Sequence, residues 1–339
     1  MTRTLLLTAC VLLLAGCSPD RDNLMEGRNE KELFLNTSPG KKMIVDLDMC
    51  TDVDDACAIR LATALDADSI IDLAGVALSV TGPNNIEATR GFLVYDGKTD
   101  VPIGRSVVDN EPHESPYWDL MAEYDDGNGE VYDAVTLYRK VLAEADSPVD
   151  IVTTGYVTNL EHLLKSGPDE YSPLNGLDLI RQKCGQLYVV ATTYPRGHCN
   201  NVHVTYAARK AADYINKHWP LPILFFTNEV GGRLMCGGGL QAVDTENKDI
   251  VTRSLLAFGT HDGRAAWDPF GVWAGAFACG DVTKLGFRRG NLKIDTATGD
   301  NRWFDDGENG RHFTIYPLEG DRSYYNSEMD SWLIKKAKL

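Results

Sequence analysis

The chain has 339 residues, of which 43% are hydrophobic and 24% charged, and its formal net charge is −16. Nucleic acids and anionic membrane surfaces bind basic patches, so this charge argues against both as direct partners. The length allows two average domains or one large domain. No Pro- or Gly-rich linker divides the chain internally, so we expect one.

The first 16 residues are typical of a secretory signal peptide. Arg3 precedes an apolar run over residues 5–14, which is too short to span a bilayer. The following Leu-Ala-Gly-Cys resembles the bacterial lipobox, which implies cleavage before Cys17 and lipidation of that cysteine. A plain signal peptide is the alternative. We expect residues 17–40 to be a flexible tether, and the protein to be exported and lipid-anchored to the cell envelope.

Six cysteines lie beyond the lipobox. They are Cys50, Cys57, Cys184, Cys199, Cys236 and Cys279. Export permits disulfides, but no pair has a CxxC or framework-like spacing. In a chain of this length such cysteines are more often small buried apolar residues. We therefore expect no essential disulfide.

Short apolar runs alternate with helical patterns along the chain. Predicted strands cover residues 43–45, 70–78, 101–104, 149–154, 187–191 and 223–226, and predicted helices cover 56–65, 86–95, 131–145, 160–165 and 207–218. Residues 107–130 have the composition of a long surface excursion. Continuous apolar strands alternating with helices predict an α/β fold, with a Rossmann-like, mostly parallel sheet covered by helices on both faces.

Ligands in such folds bind beyond the carboxyl ends of the strands. By this rule residues 46–55, 81–85, 153–159 and 192–201 meet at one site. The order of the predicted elements is the basis of this expectation.

The segment after the first strand is crowded with acids. Five carboxylates fall within ten residues, at Asp46, Asp48, Asp52, Asp54 and Asp55, and no Lys or Arg lies between residues 42 and 60. A helix N-terminus offsets only about 0.3–1 kcal/mol per charge. Calcium suits the cluster because it accepts many oxygen ligands in irregular geometry. The alternative is a solvated helix start with Asp52 or Asp54 as its N-cap.

The pattern Asp46-x-Asp48, then Asp52-x-Asp54-Asp55-Ala56, resembles the N-terminal signature of the inosine-uridine-preferring nucleoside hydrolases. Cys50 stands where the longer variant of that signature usually has glycine. The resemblance implies one nucleoside hydrolase-like domain over residues 41–339 and a Ca²⁺ cofactor. It also implies hydrolysis of the N-glycosidic bond of a ribonucleoside or related N-riboside.

The same resemblance assigns roles to the acids. In the family the metal holds the attacking water and one Asp removes its proton. This implies that Asp48 is the general base and a calcium ligand, that Asp55 is a second ligand, and that Asp54 holds a sugar hydroxyl.

Two further segments resemble the family. Residues 153–159 are similar to its T-G-x-L-T-N segment, which implies that the Thr154 carbonyl is a calcium ligand. The alternative is an ordinary strand-to-helix turn capped by Thr158 or Asn159. Residues 263–269 are similar to the segment whose Asp completes the metal site, here Asp268, and His261-Asp262 is a competing match.

The substrate contacts are less clearly matched. Many members have a general-acid His before the last Asp, whereas Trp267 resembles the Trp-Asp subgroup and has no proton to give. Residues 219–231, which include Glu229, and residues 290–303 also resemble that subgroup. We expect Trp267 and Glu229 to contact substrate. Asn85 is a candidate sugar contact, with simple turn chemistry as the alternative.

The ribose-binding E-[FYW]-N segment of the family has no full counterpart. One alignment of the following helix places Val202-His203-Val204 there, and another places His198-Cys199-Asn200 there. The second keeps Asn200 as a candidate contact. Either the loop has shifted or ribose recognition is weakened.

The leading hypothesis is thus a calcium-dependent nucleoside hydrolase-like enzyme with a small-molecule nucleoside or riboside substrate. A non-catalytic envelope protein that binds a sugar or nucleoside on the same fold is the second hypothesis. A phosphatase using Asp46-x-Asp48 as nucleophile and acid ranks third, because Cys50 stands where such enzymes have Thr or Val. A homo-oligomer is compatible with the sequence, and the identity of the leaving base is not set by it.

Overall fold

The computed structural model describes residues 39–49, 52–108, 114–277, 285–317 and 322–339. The predicted signal peptide, Cys17, most of the tether and Cys50 lie outside these ranges. Within the ranges no helix is both long and apolar enough to cross a bilayer. The cysteines described, Cys57, Cys184, Cys199 and Cys236, are buried thiols.

Thirteen strands are found in the described residues. They are β1 (Lys41–Leu47), β2 (Ile71–Leu78), β3 (Ile103–Arg105), β4 (Val131–Asp133), β5 (Val149–Thr153), β6 (Cys184–Thr192), β7 (Arg196–Gly197), β8 (Ile223–Thr227), β9 (Met235–Cys236), β10 (Arg264–Ala265), β11 (Leu285–Ile294), β12 (Asn301–Asp305) and β13 (His312–Pro317). Apart from β9 and β10, which pair with each other, they form one sheet in the order β4-β3-β2-β1-β5-β6-β8-β13-β11-β12-β7.

The same parts of the chain contain thirteen α-helices. They are α1 (Asp54–Ala67), α2 (Asn85–Tyr95), α3 (Trp118–Ala122), α4 (Ala134–Glu144), α5 (Thr158–Lys165), α6 (Gly176–Lys183), α7 (Asn200–His203), α8 (Tyr206–His218), α9 (Asn228–Gly231), α10 (Gly238–Val243), α11 (Ile250–Phe258), α12 (Trp267–Phe277) and α13 (Arg322–Lys336).

The sheet from β4 to β13 is parallel, and β11, β12 and β7 extend it in antiparallel fashion. Val45 at the middle of β1 pairs with Val76 on one side and Val152 on the other. Met43 and Val45 pack into one hydrophobic cluster and Ile44 into the other, so both faces of the strand are buried. The predicted mostly parallel α/β fold, in a single domain, is confirmed.

The predicted helix over residues 131–145 is wrong at its start. Residues Val131–Asp133 form the edge strand β4, whose β-branched and aromatic residues suit a strand, and they pair with β3. The helix begins only after Asp133, whose carboxylate accepts a hydrogen bond of 2.9 Å from the amide of Thr136. This N-cap fixes the start of α4, which hydrophobic periodicity alone did not predict.

Helix α1, which carries two acids of the crowded segment, is held by a buried ion network. The Arg60 guanidinium is fully buried and donates to Asp96 at 3.0 Å and to Asp249 at 2.9 Å. An unpaired charge in this environment would be strongly destabilising. The network therefore fixes α1 against α11 and the end of α2.

Candidate active site

A cavity of about 400 Å³ lies beyond the carboxyl ends of the parallel strands. Its lining comes from the segments that follow β1, β5, β6 and β8, together with β10 and the start of α12. The lining residues are Asp48, Asp52, Asp54, Thr154, Tyr156, Val190, His198, Cys199, Asn200, Asn201, Val204, Asn228, Arg264, Trp267 and Asp268. Three of the four segments expected to converge do so, and residues 81–85 are not among those lining the cavity.

Three carboxylates meet at this cavity from distant parts of the chain. Asp48 follows β1, Asp55 lies in the first turn of α1, and Asp268 lies in the first turn of α12. One oxygen from each lies within 4.8 Å of the others. Asp55 and Asp268 are buried and Asp48 is half-buried. The sequence motifs that assigned these residues to one metal site thus name side chains that are adjacent in space.

The cluster is electrostatically unfavourable without a counter-charge. Burial, followed by repulsion from Asp48, raises the pKa of Asp55 well above its usual range. Burial and repulsion from Asp54, Asp55 and Asp48 likewise raise the pKa of Asp268. Carboxyl groups held in this way bind either protons or a cation.

The geometry fits a hard divalent ion such as calcium. Calcium–oxygen distances are roughly 2.3–2.6 Å, so ligand oxygens on one ion lie up to about 5 Å apart. The 4.8 Å spread of the three carboxylate oxygens is within that limit. The donor set is oxygen alone, which suits calcium or magnesium better than zinc.

Thr154 lies beside the cluster at the end of β5. Its hydroxyl donates to Asp268 at 2.8 Å, and its amide donates to the backbone oxygen of Asp46 at 2.8 Å. Its carbonyl oxygen accepts a hydrogen bond from the Asn201 side chain. Since a carbonyl oxygen has two lone pairs, one remains for the metal contact that the sequence predicts.

Two glycines allow the close approach of these segments. A Cβ on Gly155 would lie 2.6 Å from the Cβ of Asp48 and 2.3 Å from the hydroxyl of Ser79. A Cβ on Gly271 in α12 would lie 2.7 Å from a methyl carbon of Val190. These contacts leave no room for a side chain, so glycine at both positions brings β1, β5 and α12 together.

Asp54 and Asp52 also line the cavity. The Asp54 carboxylate accepts from the amide of Asp268 at 3.1 Å, and burial with repulsion from Asp52 raises its pKa well above its usual range. Asp52 is paired with Arg264, whose Nε and Nη2 donate at 2.8 and 2.6 Å. Neither acid caps α1, since its N-cap is Val53 and no side-chain cap bond is made.

The loop after β6 supplies amide side chains to the cavity. Asn200, a predicted contact, is exposed and lines it, as does its neighbour Asn201. The Asn201 amide also donates to the backbone oxygen of Val190 at 2.9 Å, so its orientation is fixed by the two strand ends. Val202 is buried, whereas Val204 and all three residues of the second alignment, His198, Cys199 and Asn200, line the cavity.

Trp267 lines the cavity next to Asp268. Its Nε1 donates to the backbone oxygen of Asn228 at 2.9 Å, and a Cβ on Gly231 would lie 2.5 Å from its Cα. The competing His261-Asp262 pair is exposed and is not among the cavity residues. Asp268 is therefore the acid that joins the cluster.

Two predicted substrate contacts lie apart from the cavity lining. Asn85 is buried, and its amide donates to the backbone oxygen of Val80 at 2.9 Å. The Glu229 carboxylate accepts from the amide of Tyr194 at 3.2 Å. Asn228, one residue earlier, lines the cavity instead. In this geometry Asn85 and Glu229 support the surrounding turns.

Asp46 is the innermost acid of the first segment. It is fully buried and accepts hydrogen bonds from the Tyr138 hydroxyl at 2.8 Å and the Asn159 amide at 3.0 Å. Burial raises its pKa to about 7, and these hydrogen bonds oppose that rise. Asn159 is thus a partner of Asp46, and Val157 is the N-cap of α5. A phosphatase nucleophile must be reachable from the cavity, so Asp46 does not suit that role.

Similar folds are found among solved structures, whereas neither a protein-family model nor a curated protein sequence matches the chain. An inosine-uridine-preferring nucleoside hydrolase from Bacillus anthracis has a TM-score of 0.66 at 15% identity, covering 87% of this chain and 99% of that one. A purine-preferring ribonucleoside hydrolase from Gardnerella vaginalis has a TM-score of 0.62 at 16% identity, with coverage of 87% and 99%.

A type III effector protein, XopQ, solved in complex with adenosine diphosphate ribose, is also similar. Its TM-score is 0.58 at 13% identity, covering 91% of this chain and 98% of that one. The chain has a nucleoside hydrolase-like fold. At these identities the likeness establishes the fold alone, so an activity has to be argued from the chain's own acids and amides.

Proposed function

We propose that this protein hydrolyses the N-glycosidic bond of a ribonucleoside or related N-riboside in a calcium-dependent reaction that gives free base and ribose. The observation that carries the proposal is the meeting of Asp48, Asp55 and Asp268 within 4.8 Å beside a cavity of about 400 Å³. A cavity of this size is suited to a small molecule.

Calcium would be held by Asp48, Asp55, Asp268 and the Thr154 carbonyl, and when bound it supplies a water of lowered pKa. Asp48 is the least buried of the three acids and lines the cavity. It accepts the proton of the attacking water as general base. Asp54 accepts a hydrogen bond from a sugar hydroxyl.

The remaining acids also favour the reaction. Cleavage of an N-glycosidic bond develops positive charge on the sugar ring, and the carboxylates around the cavity stabilise that charge. Asn200 presents its amide and Asn201 its side-chain oxygen to the sugar, and Trp267 contacts the leaving base. Burial keeps these charge interactions strong.

A non-catalytic binding protein is the second candidate. Trp267 has no proton for the leaving base, and the effector of similar fold was solved with adenosine diphosphate ribose bound. Such a protein would bind a nucleoside or riboside in the same cavity and leave the glycosidic bond intact.

We also propose that the protein is exported and anchored to the envelope through a lipid on Cys17. Metabolic labelling with a palmitate analogue tests this, with Cys17→Ser as the control. Label retained in the Cys17→Ser protein would contradict it.

Turnover distinguishes the enzyme from the binder. Purified protein is incubated with inosine, uridine and 4-nitrophenyl riboside, with calcium and with excess chelator. We expect hydrolysis only with calcium, and a fall in kcat of about 10²–10⁴-fold in Asp48→Asn, the usual contribution of a general base. Tight nucleoside binding by calorimetry without turnover of any substrate would support the binder instead.

A further inference from the structure

Trp267 cannot act as a general acid, so the leaving base has to be stabilised in another way. A base leaving with the electron pair of the C1′–N bond is an anion until it is protonated. Arg264 is the one lysine or arginine among the described residues lining the cavity. Its pKa is raised by the hydrogen bonds and the charge of Asp52, and Asp54 adds to this, so it stays cationic.

The guanidinium of Arg264 has a fixed orientation. Nε and Nη2 donate to the two oxygens of Asp52 at 2.8 and 2.6 Å. The group is also stacked against the rings of Phe258 and Trp267, at 5.4 and 5.5 Å from their centroids. A fork bound through Nε and Nη2 has Nη1 on its other side, because the guanidinium is planar. Nη1 has no hydrogen-bond partner among the described residues.

We propose that Arg264 is a catalytic residue that stabilises the leaving base as an anion, through a hydrogen bond from Nη1. This inference rests on the proposed hydrolase function and concerns its leaving-group half. Trp267 and Asp52 act as positioning residues for the guanidinium.

The step balances without an enzymatic acid. The C1′–N bond breaks and its electron pair passes to the base, while the water oxygen bonds to C1′ and the water proton passes to Asp48. The anionic base hydrogen-bonds to Arg264 and takes a proton from solvent after it leaves, and Asp48 returns its proton to solvent. An Arg cannot donate its own proton at neutral pH, so its contribution is a charge-assisted hydrogen bond.

This mode of stabilisation selects a class of substrate. The leaving base must have a hydrogen-bond acceptor close to the glycosidic nitrogen, onto which negative charge spreads. Pyrimidine O2 and purine N3 are such acceptors. A riboside with an intrinsically stable leaving anion, such as 4-nitrophenolate, needs no such help.

His198 is the competing group in the cavity lining. Its Nε2 is paired with Asp300 at 2.9 Å, and its Nδ1 lies 3.2 Å from Nδ1 of His203. Both ring nitrogens are therefore engaged away from a leaving base. Arg264 is favoured over His198 because its Nη1 is not engaged in a hydrogen bond among the described residues.

The test compares leaving groups in the intact protein with calcium. Arg264→Ala is expected to lower kcat for uridine and inosine by about 10²–10³-fold, the usual effect of losing one preorganised donor to a developing anion. For 4-nitrophenyl riboside it should lower kcat less than about 3-fold. Millimolar guanidinium chloride should restore part of the uridine activity of Arg264→Ala. The kcat of Arg264→Lys for uridine should lie between those of the wild type and Arg264→Ala.

Arg90→Ala is the matched control. Arg90 makes the same fork through Nε and Nη2, to Asp125 at 2.5 and 2.8 Å, but is not among the cavity residues. Arg90→Ala should leave the ratio of kcat for uridine to kcat for 4-nitrophenyl riboside unchanged. Melting temperatures show whether each variant is folded, and if Arg264→Ala is not, Arg264→Gln replaces it.

Three results would overturn the inference. One is a parallel loss for all substrates in Arg264→Ala, and another is unchanged uridine hydrolysis. The third is a leaving-group-selective loss in His198→Asn rather than in Arg264→Ala. If the wild-type protein hydrolyses none of the substrates, including 4-nitrophenyl riboside, the proposed function itself fails and this inference fails with it.

Discussion

His312 illustrates how one buried residue links the fold to pH. It begins β13, where its Nδ1 accepts from the amide of Ile223 at 3.1 Å and its Nε2 donates to the backbone oxygen of Asn216 at 2.8 Å. Burial lowers its pKa to about 4. The neutral imidazole therefore joins β13 to β8 and to α8.

The stability that this histidine contributes should fall in mild acid. The unfolded chain takes up the proton near pH 6.5, whereas the folded chain does so only near pH 4. The contribution of His312 to the free energy of unfolding is thus fully present above pH 6.5. It is lost as pH falls toward 4, and the loss is about 2 kcal/mol at pH 5. Urea unfolding of wild type and His312→Gln at pH 7 and pH 5 measures how much the free energy of unfolding of each protein changes with pH.

His218→Gln is the control, because His218 is exposed. It should follow the wild-type dependence on pH. An acid-induced loss in His312→Gln as large as in wild type would contradict the assignment.

At the residue scale, sequence reasoning succeeded where chemistry is carried by a crowded motif. Asp48, Asp55 and Asp268 were predicted together and lie together. Asn201 was not assigned as a contact, because the alignment on the following helix ends at Asn200. Arg264 was missed because its pairing with Asp52 joins residues 212 apart, which no local pattern indicates.

At the scale of elements, the turn between β5 and α5 determines how closely β1 and β5 meet. Gly155 is in van der Waals contact with Asp48, as the 2.6 and 2.7 Å distances from a Cβ there to the Cβ and amide nitrogen of Asp48 indicate. The neighbouring amide of Tyr156 also receives support, donating to the Ser79 hydroxyl at 2.9 Å. A side chain at residue 155 would separate these strand ends.

Gly155→Ala should therefore lower the free energy of unfolding by about 1–3 kcal/mol, the usual effect of overpacking. It should also weaken calcium binding, because Asp48 is displaced. Urea unfolding and calcium calorimetry measure the two effects. Gly167→Ala is the matched control, since a Cβ there meets nothing within 4 Å. Equal stability of the two variants would show that the turn tolerates a side chain.

The central elements were predictable and the peripheral ones were not. Strands β1, β2, β5, β6 and β8 are continuous apolar runs, because both of their faces are buried. Sequence reasoning assigned no strand or helix after β8, where β11 mixes Arg288 and Arg289 with apolar residues. The adjacent residues Arg288 and Arg289 interrupt the alternation of apolar and polar residues that indicates an antiparallel strand. β4 was hidden because three residues are too few for a period.

At the scale of the whole molecule, the acid cluster couples calcium, protons and folding. The raised pKa values of Asp54, Asp55 and Asp268 mean that the metal-free folded chain binds protons more tightly than the unfolded chain. Metal-free stability from these groups is therefore greatest at low pH and decreases as pH rises through their raised pKa values. Calcium should reverse this, because it replaces the protons.

Calcium should thus raise the melting temperature more at pH 7.5 than at pH 5.5, and its binding should release protons. At 100 times its Kd a ligand stabilises by about 2.7 kcal/mol. Thermal unfolding at both pH values measures the shift, and calorimetry in two buffers of different ionisation enthalpy counts the protons. Asp268→Asn should lose both effects, whereas Asp262→Asn, at an exposed acid, should keep them. No heat with calcium in the wild type would remove the basis of the proposed hydrolysis.

Asp48 and Asp268 are separated by most of the chain, yet their oxygens meet. A translation product that stops before α12 would possess the acidic loop and no closing carboxylate. The proposed activity would accordingly arise late, after nearly complete synthesis and folding. If the chain crosses the membrane unfolded, nucleosides inside the cell would be spared by the newly made protein.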